Sequence, residues 1–353
     1  MELIPVFRPL LPDLHRLSIY ISKIDLSKQY TNRGPLVQSL EERMADHLGV
    51  DKSDVVMCAN ATLGLEGAYE TSELDGSWYC PAWTFAATPS SLNRARKEFV
   101  FCDVDSFWRI EVPADKLSNS LIVDVLPFGS SVRIQDFSSS IKGLVIDAAA
   151  SFDSIQNFAT GNRSFPVAMV GSFHATKSLP GAEGGFFWAN DPEWVSRFRK
   201  WISFGFDENR NAIQAGTNAK MHEYSAAIIH SSLDSWASDK EEWLYLKDWA
   251  FKLSSEYGFE MFSEADQNFA TPYWIIKGSK EKIESLKKIF AENNIQTRNW
   301  WGEGCQNMPA FKEIKKLDLM NTEKIAKQST GLPFFRGMSE EFKVRISDTF
   351  ARL

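Results

Sequence analysis

The sequence has few cysteines, and they lack the spacings found in cysteine-rich domains. Its 353 residues include four cysteines and five histidines. No two cysteines form a C-x-x-C pair, and no histidine–cysteine cluster has the spacing of a zinc site. We therefore expect neither a disulfide framework nor a bound metal. The cysteines are expected to be buried free thiols, at Cys58, Cys80, Cys102 and Cys305.

An excess of positive charge is also missing. Lysine and arginine total 39 against 46 acidic residues, for a formal net charge of −7. A chain without a basic excess gives no reason to expect a nucleic-acid or membrane partner. No segment approaches the roughly 18 apolar residues of a spanning helix. The first residues, MELIPVFRPLLPDLHRL, lack a basic start, so we expect no signal peptide and a cytoplasmic protein.

Two glycine-rich nucleotide-binding motifs are absent as well. No G-x-G-x-x-G follows the early strands and no Walker A motif occurs, which removes two common explanations for an α/β chain. What is present is an ordinary globular composition, with 44% hydrophobic and 24% charged residues. The length favours two domains.

Short apolar runs alternate with amphipathic segments along most of the chain. Helices are predicted over 36–48, 60–70 and 88–97. Strands are predicted over 54–58, 78–85, 98–105, 121–129, 143–151, 167–173 and 184–190. Continuous apolar strands are typical of a mainly parallel sheet that is covered on both faces. The pattern therefore predicts an α/β layer fold, with ligands bound at the carboxyl ends of the strands.

The pattern changes near residue 235. A long amphipathic helix is predicted over 234–258, and a terminal helix within 337–353; between them the sequence predicts a strand over 271–278 and a helix over 280–294. We therefore predict a large domain over 1–235 and a smaller α+β domain over 236–353. Residues 1–30 could pack on the smaller domain.

The segment Asn60-Ala61-Thr62 stands between a predicted strand and a predicted helix. The first amides of a helix have no intrahelical partner and carry partial positive charge, so Ala61 and Thr62 could hold a phosphate. The Thr62 hydroxyl could add a donor. Asparagine and threonine are also favoured helix caps, so a plain cap is the simpler explanation for this segment alone.

An acid and a lysine follow at the ends of later strands. Asp147 ends the run GLVID and precedes three alanines, which suits either a helix cap or contact with a cationic ring nitrogen. Lys177 lies between two buried strands, in SFHATKSLPGAEGG, where a solvated surface lysine is not expected. A lysine in a cavity can form a Schiff base with a carbonyl. His174 in the same segment is interpreted as a satisfied core histidine.

Pyridoxal phosphate needs an amine for its aldehyde, an acid for its pyridinium nitrogen and a cradle for its phosphate. The phosphate segment, the acid and the lysine occur in that order and at strand ends. Their combination is more informative than any one of them.

Several segments also resemble the DegT/DnrJ/EryC1/StrS sugar aminotransferases. The matching segments, in order, are TNRGPLVQSLEERMADHLGV, ANATLGLEGA, CPAWTFAATPSSL, FCDVD, IDAAASF, SFHATKSLPGAEGG and GTNAKMHEYSAA. The resemblance implies the aspartate-aminotransferase fold: a three-layer α/β/α large domain around a mainly parallel seven-stranded mixed sheet, with a smaller α+β C-terminal domain. It is strong over about 30–235 and weaker beyond.

The resemblance also implies roles for individual residues. Lys177 would be the Schiff-base lysine and general base, and Asp147 would pair with the pyridinium nitrogen. The amides of Ala61 and Thr62 would hold the cofactor phosphate, together with Ser172.

Two further roles follow from the resemblance. Phe85 would stack on the cofactor ring. Asn218, in GTNAKM, would reach the phosphate bound by the partner subunit, which implies an obligate homodimer. The chain departs from the family at Ala150, where His or Gln is common, and in a short segment after FGF, which points to a subgroup with a different sugar pocket.

The expected activity is therefore transfer of an amino group, with glutamate as donor, to a nucleotide-linked keto sugar. A dTDP-linked 4-keto-6-deoxyhexose is the expected acceptor, with amination at C-3 as an alternative. Arg298, Trp300 and Trp301 could contact substrate or pack between domains. A sugar dehydratase of the same family would carry histidine in place of Lys177, and a non-catalytic regulatory protein would have little need for Lys177, Asp147 and Ser172 together.

Overall fold

A seven-stranded sheet forms the centre of the molecule. The computed structural model describes residues 2–137, 140–158, 164–262 and 268–353. The strands are β1 (Val55–Cys58), β2 (Trp78–Pro81), β3 (Phe99–Cys102), β4 (Leu121–Val125), β5 (Gly143–Asp147), β6 (Val167–Ser172) and β7 (Gly185–Ala189). Their order is β1-β7-β6-β5-β4-β2-β3. The pairs among β2 to β6 are parallel, and β7 is antiparallel to both neighbours. This confirms the predicted α/β class.

Helices cover both faces of this sheet. They are α1 (Leu14–Ser27), α2 (Pro35–Leu48), α3 (Ala61–Glu70), α4 (Ala87–Arg94), α5 (Ala114–Leu117), α6 (Pro192–Trp201) and α7 (Glu223–Glu256). Successive strand residues point to opposite faces. Ile146 of β5 accordingly belongs to the apolar cluster that contains Leu40 of α2, whereas Val145 belongs to the cluster that contains Leu65 of α3 and Phe198 of α6. The arrangement has the three predicted layers.

Helix α2 begins without a side-chain cap of its own, because its N-cap residue is Gly34. The amides of Leu36 and Val37 instead donate to the carboxylate of Glu223, at 2.8 and 2.9 Å. Glu223 is the fully buried first residue of α7. A Cβ on Gly34 would lie 2.7 Å from the Glu223 carboxyl carbon, so only glycine allows this approach.

Several strands end earlier than the apolar runs that predicted them. β2 ends at Pro81 instead of residue 85, and β3 ends at Cys102 instead of residue 105. The predicted ends are wrong because buried loop residues are as apolar as strand residues. Ala82 and Trp83, for example, leave the strand but remain buried.

A smaller antiparallel sheet lies in the C-terminal part. It contains β8 (Glu260–Met261), β9 (Trp274–Lys277) and β10 (Ser329–Leu332), in the order β10-β9-β8. The helices here are α8 (Lys280–Glu292), α9 (Met320–Gln328) and α10 (Glu340–Phe350). Trp274, Phe290 and Phe350 form the centre of a separate apolar cluster. Ile4 joins it and pairs its backbone with Asn294 and Gln296, so the first residues contact this unit.

Helix α7 runs without a break from Glu223 to Glu256. The predicted start at residue 234 is therefore wrong. The first part of α7 is buried against the large sheet through Ala226 and Ile229, whereas Trp243 and Leu246 belong to the C-terminal cluster. A segment buried on several sides shows no amphipathic period, and this hid the start of the helix. The division near residue 235 stays a prediction and falls inside α7.

None of the helices in the described ranges combines the length and the apolar character needed to cross a membrane.

Candidate functional site

Asp147 lies at the carboxyl end of β5, in the middle of the large sheet. Its side chain is almost fully buried, with 6% exposed. The carboxylate accepts hydrogen bonds from Thr88 Oγ1 at 2.8 Å and from the Ala149 amide at 3.1 Å. Burial raises the pKa of Asp147, although both hydrogen bonds and the charge of Lys177 oppose this effect. Residues 148–151 do not form a helix, which removes the helix-cap alternative.

Lys177 lies in the loop between β6 and β7. Backbone hydrogen bonds from Phe173 to Gly184 and from Ala175 to Ala182 hold this loop, and the Lys177 amide donates to the carbonyl of His174. The side-chain Nζ donates to the hydroxyl of Tyr273 at 3.2 Å. The loop therefore presents one amine at the strand ends where Asp147 lies.

Tyr273 is a site residue that the sequence analysis did not identify. It lies just before β9 and 96 residues from Lys177 along the chain. Its ring is buried and packs edge-on against Phe7, Phe128 and Trp300. Only the folded chain brings a phenol from the C-terminal part to the lysine.

Helix α3 begins at Ala61, at the segment where the sequence predicts a phosphate-binding helix start. Asn60 is its N-cap, and its side chain accepts from the Leu63 amide at 2.9 Å. The amides of Ala61 and Thr62 lie in the first turn and have no partner within the helix. The first turn of a helix is where anions bind. Gly185 lies directly beside this turn, since a Cβ there would come within 2.8 Å of the Ala61 nitrogen.

Ser172 reaches the same place because it pairs with Gly185 in the β6–β7 ladder. Its hydroxyl accepts from the His174 amide at 3.2 Å. The structure therefore brings Ala61, Thr62 and Ser172 to one end of the sheet, although they are far apart in sequence. Their role toward a phosphate stays a prediction.

Phe85, in the loop after β2, and Ala150, three residues after Asp147, have different surroundings. Phe85 is 60% exposed, which leaves its ring available to cover a flat ligand. The neighbouring Thr84 hydroxyl hydrogen-bonds Thr88, which in turn donates to Asp147. Ala150 packs at the edge of the aromatic cluster around Phe128 and offers no polar group there.

Asn218 is exposed at the surface, and its side chain accepts from Lys220 Nζ at 2.7 Å. The next residue, Ala219, accepts from the Ala59 amide through its carbonyl, so this segment runs beside the β1–α3 junction of its own chain. Burial lowers the pKa of Lys220, whose ammonium lies 4.4 Å from the centre of the Phe204 ring. The contact of Asn218 with a partner subunit stays a prediction.

The predicted substrate residues differ in their surroundings. Trp301 is buried and stacks on Phe128, with 4.4 Å between the ring centres. Trp300 packs edge-on against Phe7 and lies under the guanidinium of Arg298. Packing therefore explains the position of Trp301. The indole nitrogen of Trp300 is buried and, within the described residues, has no hydrogen-bond partner.

His174 is not a core residue, contrary to the prediction. Its side chain is 46% exposed and hydrogen-bonds Thr176 Oγ1 at 2.8 Å. The loop turns outward at His174. The two buried strands on either side of the loop did not reveal that turn. All four cysteines are buried and unpaired, as predicted. No group of three or more potential metal ligands occurs in the ranges that the structure describes.

The buried Asp147 carboxylate carries no ion pair with a neighbouring lysine or arginine among the described residues. A cationic ring nitrogen placed there would supply the missing partner. The amine of Lys177 and the first turn of α3 lie at the same strand ends. The residues therefore fit pyridoxal phosphate. A three-layer α/β/α fold with this set of groups defines a pyridoxal-phosphate-dependent enzyme.

The chain belongs to the DegT/DnrJ/EryC1/StrS aminotransferase family, whose model matches residues 16–351. Its cofactor is pyridoxal 5′-phosphate. It is 28% identical over 371 residues to dTDP-4-amino-4,6-dideoxy-D-glucose transaminase from Shigella dysenteriae, covering 99% of both chains. The solved structure of DesI with its TDP-sugar product superposes with a TM-score of 0.85 at 26% identity, covering 99% of this chain and 92% of DesI.

A relative with a different description is also similar. The pleiotropic regulatory protein of Geobacillus stearothermophilus is 23% identical over 359 residues, covering 91% of this chain and 95% of that protein.

Proposed function

We propose that the protein transfers an amino group from glutamate to C-4 of a dTDP-linked 4-keto-6-deoxyhexose, in amino-sugar biosynthesis in the cytoplasm. The buried Asp147 carboxylate carries this proposal, since a transaminase needs an acid at the cofactor nitrogen and a folding core does not. The full-length similarity to the Shigella enzyme and the likeness to DesI support a nucleotide-sugar acceptor. Amination at C-3 is the alternative.

Each residue has a definite task in this proposal. The amides of Ala61 and Thr62 and the hydroxyl of Ser172 bind the phosphate. Phe85 covers one face of the ring. Asp147 keeps the proton on the ring nitrogen, because a buried carboxylate stabilises an adjacent cation.

When bound, pyridoxal phosphate supplies the electron sink for removal of the donor Cα proton. Lys177 Nζ moves that proton as a general base and acid. Tyr273 holds Nζ by a hydrogen bond at 3.2 Å, which fixes the direction from which the amine acts. The aromatic cluster behind Tyr273 keeps its phenol from turning away and excludes water from that side.

A homodimer is part of the proposal. Large apolar side chains are exposed around the Asn218 segment, and they include Phe204, Ile213 and Tyr224. Exposed apolar groups near a site are typical of a subunit interface. In such a dimer Asn218 would contact the phosphate in the partner's site.

The test is incubation of the purified protein with glutamate and a panel of keto-sugar nucleotides, with mass detection of the aminated product. NMR of that product distinguishes C-4 from C-3. A regulatory protein would bind cofactor without turnover, and a dehydratase would release a deoxygenated sugar. Either result would replace this proposal.

A further inference from the structure

Two buried hydroxyl groups form a chain of hydrogen bonds that ends at the Asp147 carboxylate. Thr88 Oγ1, in the first turn of α4, donates to Asp147 Oδ2 at 2.8 Å. Thr84 Oγ1 lies 2.8 Å from Thr88 Oγ1, and both threonines are fully buried. An ionised carboxylate only accepts hydrogen bonds, and each hydroxyl has a single proton to donate. Thr84 therefore donates to Thr88 while Thr88 donates to ionised Asp147.

The Thr88 hydroxyl does not bond as hydroxyl groups in helices usually do. Such a group commonly donates to the carbonyl four residues earlier, and Ser91 of α4 does so, to Ala87 at 2.8 Å. For Thr88 that carbonyl belongs to Thr84, and it accepts from the Cys305 thiol at 3.0 Å. The hydroxyl of Thr88 points away from its own helix, toward the carboxyl end of β5.

The two threonines do not cap the helix either. The N-cap of α4 is Ala86, and no side chain caps this helix. The Thr88 amide donates to the Phe85 carbonyl at 3.1 Å, so it does not need a hydroxyl partner. The hydroxyl chain therefore serves the carboxylate of Asp147 and not the backbone of α4.

Asp147 needs these donors because it is buried. Burial raises the pKa of Asp147, and the hydrogen bonds from Thr88 and from the Ala149 amide oppose that effect. Thr88 donates to one carboxylate oxygen and Ala149 to the other. Two donors on two oxygens fix the plane of the carboxylate as well as favouring its charge.

The titratable side chains of the described residues that interact electrostatically with Asp147 lie on three other elements. They are Tyr69 of α3, Cys80 of β2 and Lys177 of the loop after β6. Burial raises the pKa of Tyr69 and that of Cys80 well above their usual values, so neither ionises between pH ~4 and neutral pH. Asp147 is therefore the acid of this group that titrates in that range.

We propose that Thr88, oriented by Thr84, is a positioning residue for the reaction, because it keeps Asp147 ionised and fixes the plane of its carboxylate. This rests on the proposed role of Asp147 in transamination. A protonated carboxyl does not stabilise an adjacent cation, so the hydroxyl chain acts on the rate through Asp147.

Packing of α4 against the sheet is the competing explanation for Thr88. A packing role does not depend on the charge of Asp147, so it predicts the same loss of stability at every pH. A hydrogen bond to the ionised carboxylate contributes only where Asp147 is ionised. The two explanations therefore differ in a measurement that needs neither cofactor nor substrate.

The experiment measures urea unfolding of cofactor-free Thr88→Val at neutral pH and near pH ~4, the usual carboxyl pKa. Valine keeps the shape of threonine without its hydroxyl. We expect a clear loss in the free energy of unfolding at neutral pH and a much smaller loss near pH ~4, where folded Asp147 is mostly protonated. In an Asp147→Asn background the loss should be equal at both pH values. The matched control is Thr71→Val, since the buried Thr71 hydroxyl donates to the Gly67 carbonyl at 2.7 Å, and its loss should not depend on pH.

Steady-state kinetics of the cofactor-loaded protein give the second readout. Thr88→Val should lower kcat at least about tenfold, because a hydrogen bond to a charged group is lost. Thr88→Ser, which keeps the hydroxyl, should recover most of this rate, and Thr71→Val should match the wild type.

Equal losses of stability at both pH values in Thr88→Val would overturn the inference and leave a packing role. A pH dependence that persists in the Asp147→Asn background, or an unchanged kcat in Thr88→Val, would also overturn it. A wild-type protein that aminates no keto sugar would instead contradict the proposed function, and the unfolding measurements would still decide whether Thr88 acts on the charge of Asp147.

Discussion

Lys177 is the residue on which transamination depends most directly. Its amine is the general base and acid of the proposed reaction, and water cannot replace it at a comparable rate. We expect Lys177→Ala to abolish product formation. Its thermal unfolding should match that of the wild type, because the side chain makes one hydrogen bond, to Tyr273. Normal turnover by this variant, measured by product mass, would refute the assignment.

The substitution Asp147→Asn tests the role of the buried carboxylate through its effect on kcat. A neutral amide cannot hold a proton on the ring nitrogen, so the variant should retain cofactor but lose at least about a hundredfold in kcat. Cofactor retention is read from absorbance after gel filtration. A variant with near-normal kcat would make Asp147 a purely structural residue.

The same substitution should also change how the free energy of unfolding depends on pH. Burial raises the pKa of Asp147 in the folded chain, so the unfolded chain releases this proton first as pH rises. The free energy of unfolding of the cofactor-free protein therefore falls as the pH increases from the usual carboxyl range to the raised pKa of Asp147. We expect Asp147→Asn to stabilise the cofactor-free protein at neutral pH and much less near pH ~4, the usual carboxyl pKa. Urea unfolding at both pH values measures this, and equal effects at both would contradict it.

Tyr273→Phe isolates the hydroxyl that contacts Lys177. The ring should still pack against Phe7 and Trp300, so we expect little change in thermal unfolding. The pH profile of kcat and that of the bound-cofactor absorbance should both shift, because the amine loses its hydrogen-bond partner. Tyr20→Phe is the matched control, since it removes a phenol that hydrogen-bonds Asp234 instead of the lysine. Identical profiles for both variants would exclude a role for Tyr273.

Among single residues, those with a local sequence pattern could be predicted, and those whose role depends on distant contacts could not. Asp147 and Lys177 were found because each sits next to a buried strand. Tyr273 was not found, because nothing local distinguishes it from the neighbouring Trp274 or from the many other buried aromatic residues. Trp300 and Trp301 are neighbours in sequence, yet one stacks in the aromatic core and the other lies at its edge.

Among the secondary-structure elements, α2 depends on α7 for its first turn. Two amides at the start of α2 donate to Glu223, and both lie where water cannot replace the carboxylate. Glu223→Ala should therefore lower the free energy of unfolding by about 3 kcal/mol, through two buried unsatisfied amides. Urea unfolding measures this. Glu284→Ala on α8, which breaks an ion pair with Lys287 near the surface, should change it by less than about 1 kcal/mol.

The strands of the large sheet were predictable, but their ends were not, and the sequence analysis did not predict α1, α6 or α9. Hydrophobic runs gave every strand of the large sheet, because buried parallel strands are continuously apolar. They could not show where β2 stops, since Ala82 and Trp83 are buried in a loop. The start of α7 was missed for the related reason that Ala226 and Ile229 lie in a stretch that is buried on more than one side.

For the whole molecule, the homodimer makes the most demanding prediction. If Asn218 serves the partner's site, a mixed dimer of Asn218→Ala and Lys177→Ala subunits contains one site with both residues intact. Activity at limiting cofactor should then exceed that of either parent. Subunit exchange must be verified by mass spectrometry of labelled chains. If no activity is recovered after confirmed exchange, Asn218 acts in its own chain, where its segment runs beside the β1–α3 junction.

The length of α7 has a consequence for how the protein melts. One helix supplies buried residues to the cluster of the large sheet and to the C-terminal cluster. Loss of either core would expose the apolar side of that helix and weaken the other core. We therefore expect a single cooperative heat-absorption peak in scanning calorimetry, with equal calorimetric and van't Hoff enthalpies per cooperative unit. Two resolved peaks would show that the helix can fray at its middle, and that the two cores are thermodynamically independent.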